Sequence, residues 1–488
     1  MSDFKPTAAL KVLFVQDNAI NESLALTELA GVLREQGYDY SVLVEREEGD
    51  VLKSAAAYGP SVVIIPSSII RPQWGVSMAR RIKSVVPDAL CMLTGTYPTF
   101  FHDVINEEGV DVILKGEADH AVPEFLRRLA SGGDITSVSN MWVKYRGNIF
   151  KNPIGPLTDL SALPLPDREV YYKYRFIRDF PLKRFISGRG CPNACSYCFN
   201  PSFKKMTDGR GAFVRKKDVG RMLEEIRYIA DRYPLRHIHF SDDLFTFDKN
   251  WTMEFCDRYA KEMSIPFTFN SMADKLDEDI IRSVRHAGCS GIAVGIESGN
   301  DDVRVHVLNR RISDDEIVEK CKRIKEHGMS LTTFNMIGNP GEGLDEVFQT
   351  IELNRKIRPD NPRITVSVPI EGTKLYDFAV GHGYLERGYK TDFKSFFNSC
   401  KPIYRTPYAV QFENLFYTFP FIVRHDGLYG VVSRLAGSPR LTPVFKLAAF
   451  GKLFYEKRFF NAGLLPSIIF YLHTGGPANW SSIYSMVI

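Results

Sequence analysis

The stretch Ser187-Gly-Arg-Gly-Cys191-Pro-Asn-Ala-Cys195-Ser-Tyr-Cys198-Phe-Asn-Pro201 decides the reading of this chain. Three cysteines stand four and three residues apart in a segment rich in glycine and proline. Thiolates this close converge on one metal object. An iron–sulfur cube normally takes four cysteines, so three leave one iron open to hold a small molecule. Spacings of four and seven also fall on one helical face, but Gly188, Gly190, Pro192 and Asn193 oppose a helix through the segment. A structural zinc site takes four protein ligands, often as two Cys-x-x-Cys pairs. Here the other five cysteines (91, 256, 289, 321 and 400) are scattered singly. That scatter, with a short polar start and no export signal, also speaks against disulfides.

The chain has 488 residues, 44% hydrophobic and 25% charged, an ordinary globular composition with room for two to four domains. A net charge of +4 gives no reason to expect nucleic acid. Cysteines that must stay reduced fit a cytoplasmic protein. The charge is uneven: residues 401–488 carry nine Lys/Arg against three Asp/Glu, and the rest 53 against 55.

Residues 1–130 alternate short apolar strands with helical stretches. Strands are expected at Lys11–Val15, Tyr40–Val44, Ser61–Ile65, Ala89–Leu93 and Asp111–Leu114, with helices such as Glu22–Gln36 and Trp74–Val86 between them. This pattern makes an α/β domain with a doubly wound, five-stranded parallel sheet. Such sheets bind ligands at the carboxyl ends of their strands, here the loops 16–20, 66–73, 95–98 and 115–120. Residues 131–182 read as a small hairpin and a proline-rich linker. From 183 to 376 six strand–helix units recur, with strands at Arg184–Ser187, His237–Phe240, Phe267–Asn270, Gly291–Gly295, Ser330–Met336 and Arg363–Val368. Residues 377–488 form a mainly helical extension.

The cysteine loop closely resembles that of the radical S-adenosylmethionine (SAM) enzymes. The six units are similar to that family's partial (β/α)6, TIM-like barrel, in which the loop follows the first strand. The resemblance implies a 4Fe-4S cluster on Cys191, Cys195 and Cys198, with SAM chelated to the open iron and cleaved to a 5′-deoxyadenosyl radical. It assigns Ser241 and Asp242, with Asp243 as an alternative, to the SAM ammonium group. Glu297 and Ser298 go to the ribose and sulfonium region, and Asn335, Ile337 and Gly338 to adenine, near the aromatic Tyr197. A guanidinium suits the SAM carboxylate, which falls to Arg310 or its neighbour Arg311. For the acids, the competing expectation is a helix cap before Asn250.

The first 130 residues, followed by such a loop, look like the Rossmann-like cobalamin-binding domain of cobalamin-dependent radical SAM enzymes. Thr94-Gly-Thr-Tyr-Pro-Thr99 resembles that family's Gly-Gly-Pro-His-Pro-Thr turn, and Lys115-Gly-Glu-Ala-Asp119 its Arg-Gly-Glu-Gly-Glu turn. Ser67, Ser68, Gly95, Thr96, Gly116 and Glu117 are the expected cobalamin contacts. Many cobalamin domains carry a cobalt-binding His in the first loop; Gln16-Asp-Asn-Ala-Ile-Asn21 has none.

The resemblance implies a methyltransferase acting on an unactivated carbon: the radical removes a hydrogen, and methylcobalamin supplies the methyl group. A radical cyclase using the same cofactors, as in the anaerobic porphyrin-ester cyclase, and a non-catalytic cobalamin-binding regulator are the alternatives. The expected partners are a small-molecule substrate and an electron donor such as flavodoxin or ferredoxin. The tail alternates aromatic and basic residues (Phe445-Lys446, Phe450-Gly-Lys452, Phe454 to Phe460) and has no charged residue after 460. One reading has it cap the barrel; the other makes it a pocket for a hydrophobic substrate or a peripheral membrane contact.

Overall fold

The computed structural model describes residues 10–17, 22–69, 71–390 and 402–447. The chain divides into two compact units, Met1–Arg184 with Phe203–Leu235, and Phe185–Ser202 with Arg236–Ile488.

The first unit is built on β1 (Lys11–Gln16), β2 (Asp39–Val44), β3 (Val62–Pro66), β4 (Leu90–Thr94), β5 (Val112–Leu114), β6 (Met141–Tyr145) and β7 (Asn148–Lys151). The sheet order is β2-β1-β3-β4-β5-β6-β7. The first five strands pair in parallel, and β6 and β7 add antiparallel. The hairpin after residue 131 therefore extends the same sheet, making seven strands where the sequence pattern showed five. Near-continuous apolar runs such as Val62-Val-Ile-Ile65 are buried throughout, as strands covered on both faces require.

The proline-rich segment packs rather than spans. The carbonyl of Leu165 lies 2.3 Å from where a Cβ on Gly31 would stand, so the helix Leu24–Glu35 admits only glycine at that contact. Behind it sits a buried ionic group. Arg168, 1% exposed, meets Glu225 at 3.0 Å and Glu22 at 3.7 Å, and Lys217 bridges Glu28 and Glu225.

The second sheet holds β8 (Leu182–Phe185), β9 (His237–Phe240), β10 (Phe267–Ser271), β11 (Cys289–Glu297), β12 (Ser330–Ile337) and β13 (Asn361–Val366), in the order β13-β12-β11-β10-β9-β8. The strands from β9 to β13 pair in parallel in chain order. The returning helices start where short polar side chains accept first-turn N–H groups: Asp248, Asp277 and Ser313. Phe240, Phe245, Phe255 and Phe267 are fully buried and pack edge-to-face or tilted. Truncating any of them would cost about 3–5 kcal/mol.

The described part of the C-terminal extension contributes the helices Ala409–Arg424 and Asp426–Leu435. Phe412, Leu415, Phe419, Ile422 and Phe445 pack with Ile337, Val347 and Ile351. Up to residue 447 this matches the capping reading. The aromatic–basic residues from Phe450 to Phe460, and the charge-free end, lie outside the described residues. Among the described residues, no helix is long and apolar enough to cross a membrane.

Candidate active site

The cysteine loop leaves β8 through Ser187 and is fixed mainly by backbone. Ser196 donates from its N–H to the Leu308 carbonyl (3.1 Å) and accepts from Leu375 N–H (2.8 Å), while Asn309 Nδ2 donates to the Ala194 carbonyl at 2.7 Å. Gly190, at φ +85°, makes the turn into Cys191. All three cysteines are free thiols. Burial raises the pKa of each, that of Cys198 to about 12 with the charges of Asp243, Cys195 and Cys191 contributing. Binding a metal group would therefore release their protons. Asn200 N–H already points at the Cys198 sulfur (3.4 Å) and Asn193 Nδ2 at that of Cys191 (3.5 Å), a setting that suits thiolates. Among the described residues, no three metal-binding side chains are gathered for a single ion.

The acids after β9 divide the work. Asp242, 3% exposed, turns back to the loop's origin and accepts from Ser187 N–H (3.0 Å) and Oγ (2.6 Å). Asp243 faces the cysteines: it accepts from Asn200 Nδ2 at 3.0 Å, and its charge acts on Cys191 and Cys198. Burial, reinforced by Asp242, raises the Asp243 pKa although its carboxylate still reaches solvent. Neither acid caps the following helix; Asp248 does. Ser241 N–H bonds to the Phe185 carbonyl, holding β9 to the start of the loop.

At the end of β11 a bulge puts Glu297 at φ +68°, a conformation rare for a residue with a side chain. Its carboxylate meets Arg310 at 3.4 Å and hydrogen-bonds Tyr197. Arg310 donates to the Tyr197 hydroxyl (3.2 Å) and the Gly295 carbonyl (2.7 Å), and its buried Nε has no partner. Burial raises the pKa of Glu297 and lifts that of Tyr197 well above its ordinary value. A side chain at Gly295 would collide with Glu297 and Arg310. Arg311 is exposed to solvent, so of the two arginines only Arg310 enters this group.

The side chains of the remaining expected SAM residues are engaged within the fold. Ser298 is fully buried and caps the next turn by accepting from Asn300 N–H. Asn335 is absorbed in a buried network with Thr333, Asn354 and the Arg363 carbonyl. The Ile337 side chain lies in the core, leaving only its backbone and Gly338 (φ +72°) at the strand end. The sequence reading missed Glu342, which is buried and accepts from Asn339 N–H at 2.9 Å; burial raises its pKa to about 8. A carboxylate in a Gly-Asn-Pro-Gly-Glu turn gives no such signal by itself.

In the first unit, the strand-end loops present backbone and small polar groups. Gly95 (φ +95°) lies against the Ser67 carbonyl, and Gly116 (φ +82°) against the Phe203 ring. Ser67 is buried, whereas Ser68 and Thr96 are exposed; Thr96 Oγ1 accepts from Ile69 N–H. Glu117 is held by Arg215 (2.5 and 3.1 Å) and Thr158 N–H (2.8 Å). In the first loop Gln16 accepts from the Tyr171 hydroxyl, and Asp17 pairs with Arg71 and Arg46. Residues 18–21 of that loop lie outside the described residues.

Residues 185–353 match the Radical SAM superfamily. The chain is 24% identical to the uncharacterized methyltransferase PH0819 of Pyrococcus horikoshii, over 74% of this chain and 79% of that one. It is 20% identical to cytidylyl-2-hydroxyethylphosphonate methyltransferase of Streptomyces wedmorensis, over 74% and 78%. Among solved structures, the cobalamin-dependent SAM radical enzyme OxsB superposes with a TM-score of 0.69 at 12% identity, covering 98% of this chain and 75% of that one. The radical SAM methyltransferase TsrM of Kitasatospora setae gives 0.64 at 15%, covering 77% and 76%. The protein is a radical SAM enzyme, with a 4Fe-4S cluster and SAM as cofactors. Its fold is the one found in the cobalamin-dependent members of that superfamily.

Proposed function

We propose that the protein is a cobalamin-dependent radical SAM methyltransferase acting on an unactivated carbon of a small molecule. One observation carries the reading: the strand ends of the second sheet gather three free thiols, Asp243, Tyr197, Glu297 and Arg310 around one loop. The methyltransferase names of PH0819 and TsrM favour methyl transfer over cyclisation. They also disfavour a purely regulatory role. When bound, the cluster with SAM supplies a radical that removes a substrate hydrogen, and cobalamin supplies the methyl group that replaces it.

The chain's own groups hold these partners. Cys191, Cys195 and Cys198 take three irons. Asp243, with Ser241 beside it, meets the SAM ammonium group, while Asp242 holds Ser187 and so the first turn of the loop. Arg310 neutralises Glu297 in the free protein and has Nε left over for the SAM carboxylate. Glu297 and Tyr197 line the ribose and adenine side, with the Gly338 backbone opposite. In the first unit, the 67–68, 95–96 and 116–117 loops form the cobalamin cradle; glycine at 95 and 116 lets a large ring approach the backbone. An electron donor of the flavodoxin or ferredoxin kind and a cytoplasmic setting complete the reading.

The test is anaerobic incubation of the reconstituted protein with reductant, cobalamin, trideuteromethyl-SAM and a small-molecule extract of the source cells. A product three deuteriums heavier than its protiated counterpart is expected beside 5′-deoxyadenosine. 5′-Deoxyadenosine with an unlabelled, dehydrogenated or ring-closed product would turn the reading to cyclisation. Bound cob(II)alamin is expected to show no axial-nitrogen splitting in its electron paramagnetic resonance spectrum. Splitting would implicate His120, which closes the fifth loop.

A further inference from the structure

Seven large apolar side chains are exposed among the described residues, and five of them fall between 428 and 447: Leu428 (43%), Val431 (53%), Leu435 (43%), Val444 (57%) and Leu447 (70%). Leu428, Val431 and Leu435 are spaced three and four apart on the helix Asp426–Leu435, so they form one stripe. The helix's other apolar residues, Val432 and Tyr429, face the core beside Ala436. The stripe is therefore a second apolar face that the described residues leave uncovered. Single exposed leucines need no explanation, but three in one stripe on a helix do.

The unpaired charges on the segment that carries the stripe are basic, while Glu352, which hydrogen-bonds Tyr429, and Asp426 share Arg355 at the other side of the helix. The only two carboxylates between 402 and 447 are neutralised, Glu413 by Lys446 and Asp426 by Arg355. Arg434 lies on the striped helix and Arg440 just beyond it; both are exposed, and neither has an ion-pair partner among the described residues. The next charged residues in the sequence, Lys452, Glu456, Lys457 and Arg458, are again mostly basic. Apolar side chains that enter an acyl boundary, with arginines able to stay at the headgroup level, suit an interface that is greasy on one side and anionic on the other. A protein partner would need a complementary acidic rim, and a second copy would bring like-charged arginines to the contact.

We propose that the stripe of Leu428, Val431 and Leu435, with Arg434 on the same helix and the exposed Arg440, Val444 and Leu447 following it in the chain, is a docking surface for an anionic membrane. It holds the enzyme at the bilayer surface. The proposal is independent of the chemistry proposed above.

The test is flotation of the full-length protein with phosphatidylcholine vesicles containing none or 30% phosphatidylglycerol, at low and at 0.5 M salt. Binding should be at least tenfold stronger to the anionic vesicles and fall with salt. Leu428→Glu/Val431→Glu/Leu435→Glu should reduce it at least tenfold, and Arg434→Glu/Arg440→Glu about fivefold. Cluster content and thermal midpoint should stay unchanged, since all five side chains are exposed. No binding by the natural protein would overturn the proposal. So would binding unaffected by either variant, or binding that appears only after removal of residues 448–488, which would make that segment the occupant. A dimer in light scattering that the triple variant dissociates would assign the stripe to a second copy instead.

Discussion

At the strand ends of the first sheet the described carboxylates Glu117 and Asp17 are already matched, Glu117 with Arg215 and Asp17 with Arg71 and Arg46. What remains open there is backbone, shaped by Gly95 and Gly116 at positive φ. At the strand ends of the second sheet the reverse holds. Three thiols are free, Asp243 and Glu297 have raised pKa values, and Arg310 Nε has no partner. A site that cradles a large, pre-built cofactor needs shape, and its conspicuous residues are glycines. A site that ligates a metal group and a charged small molecule needs reactive side chains, which leaves it electrostatically unfinished until loaded.

The sharpest test of that contrast is Cys191→Ala/Cys195→Ala/Cys198→Ala. Complete loss of the cluster's visible absorbance and of 5′-deoxyadenosine formation is expected, with cobalamin binding kept by the first unit. Full iron content in this variant would break the assignment. Next comes Arg310→Ala, which leaves Glu297 buried opposite no cation. Removing one member of a buried pair costs about 3–5 kcal/mol, to be read by chemical denaturation. SAM affinity should drop at least tenfold while iron content is retained. Arg310→Lys should recover stability better than affinity, because an ammonium keeps the charge but not the fork that also reaches Tyr197 and Gly295.

Gly95→Ala probes the other side of the comparison. Gly95 sits at φ +95°, ψ −163°, a region only glycine occupies readily, and a Cβ would stand 3.0 Å from the Ser67 carbonyl. A cost of about 1–3 kcal/mol follows. Cobalamin affinity should weaken about tenfold with cluster content unchanged. Equal loss of both cofactors would mean that the two strand-end sites are not chemically separate.

The same contrast explains what the sequence disclosed. The cysteine spacing, the strand–helix rhythm and the strand-end motifs could be read because each depends on local spacing. The family resemblance they carried is borne out by the superfamily match over 185–353. Which acid faces the cysteines could not be read, because Asp242 and Asp243 are neighbours and only the bond to Ser187 turns one of them away. Arg310 and Arg311 posed the same problem, and burial separates them. Asn335 and Ser298 fit a motif by position, yet their side chains are taken up by Asn354 and by the turn at Asn300. The hairpin's union with the first sheet depends on β5 pairing with β6, a long-range choice that no local pattern encodes.

The smallest expected effect belongs to Glu342, which lies beyond the end of β12 and was invisible to motif reading. Its folded pKa, raised by burial to about 8, stands above the ordinary 4.5. Between these values the folded state keeps a proton that the unfolded chain has released. Stability is therefore greatest below pH 4.5 as far as this group is concerned, and it falls as pH rises toward 8. The full slope is about 1.4 kcal/mol per pH unit, so between pH 6 and 7 the natural protein should lose about 1 kcal/mol that Glu342→Gln does not. Glutamine can still accept from Asn339 N–H, which isolates the proton from the hydrogen bond. Equilibrium denaturation at the two pH values checks this. Parallel pH dependence in both proteins would mean that Glu342 is ionised in the fold, with a cation or water opposite its second oxygen. In that case the turn after β12 would belong with the unfinished electrostatics of the active site rather than with its frame.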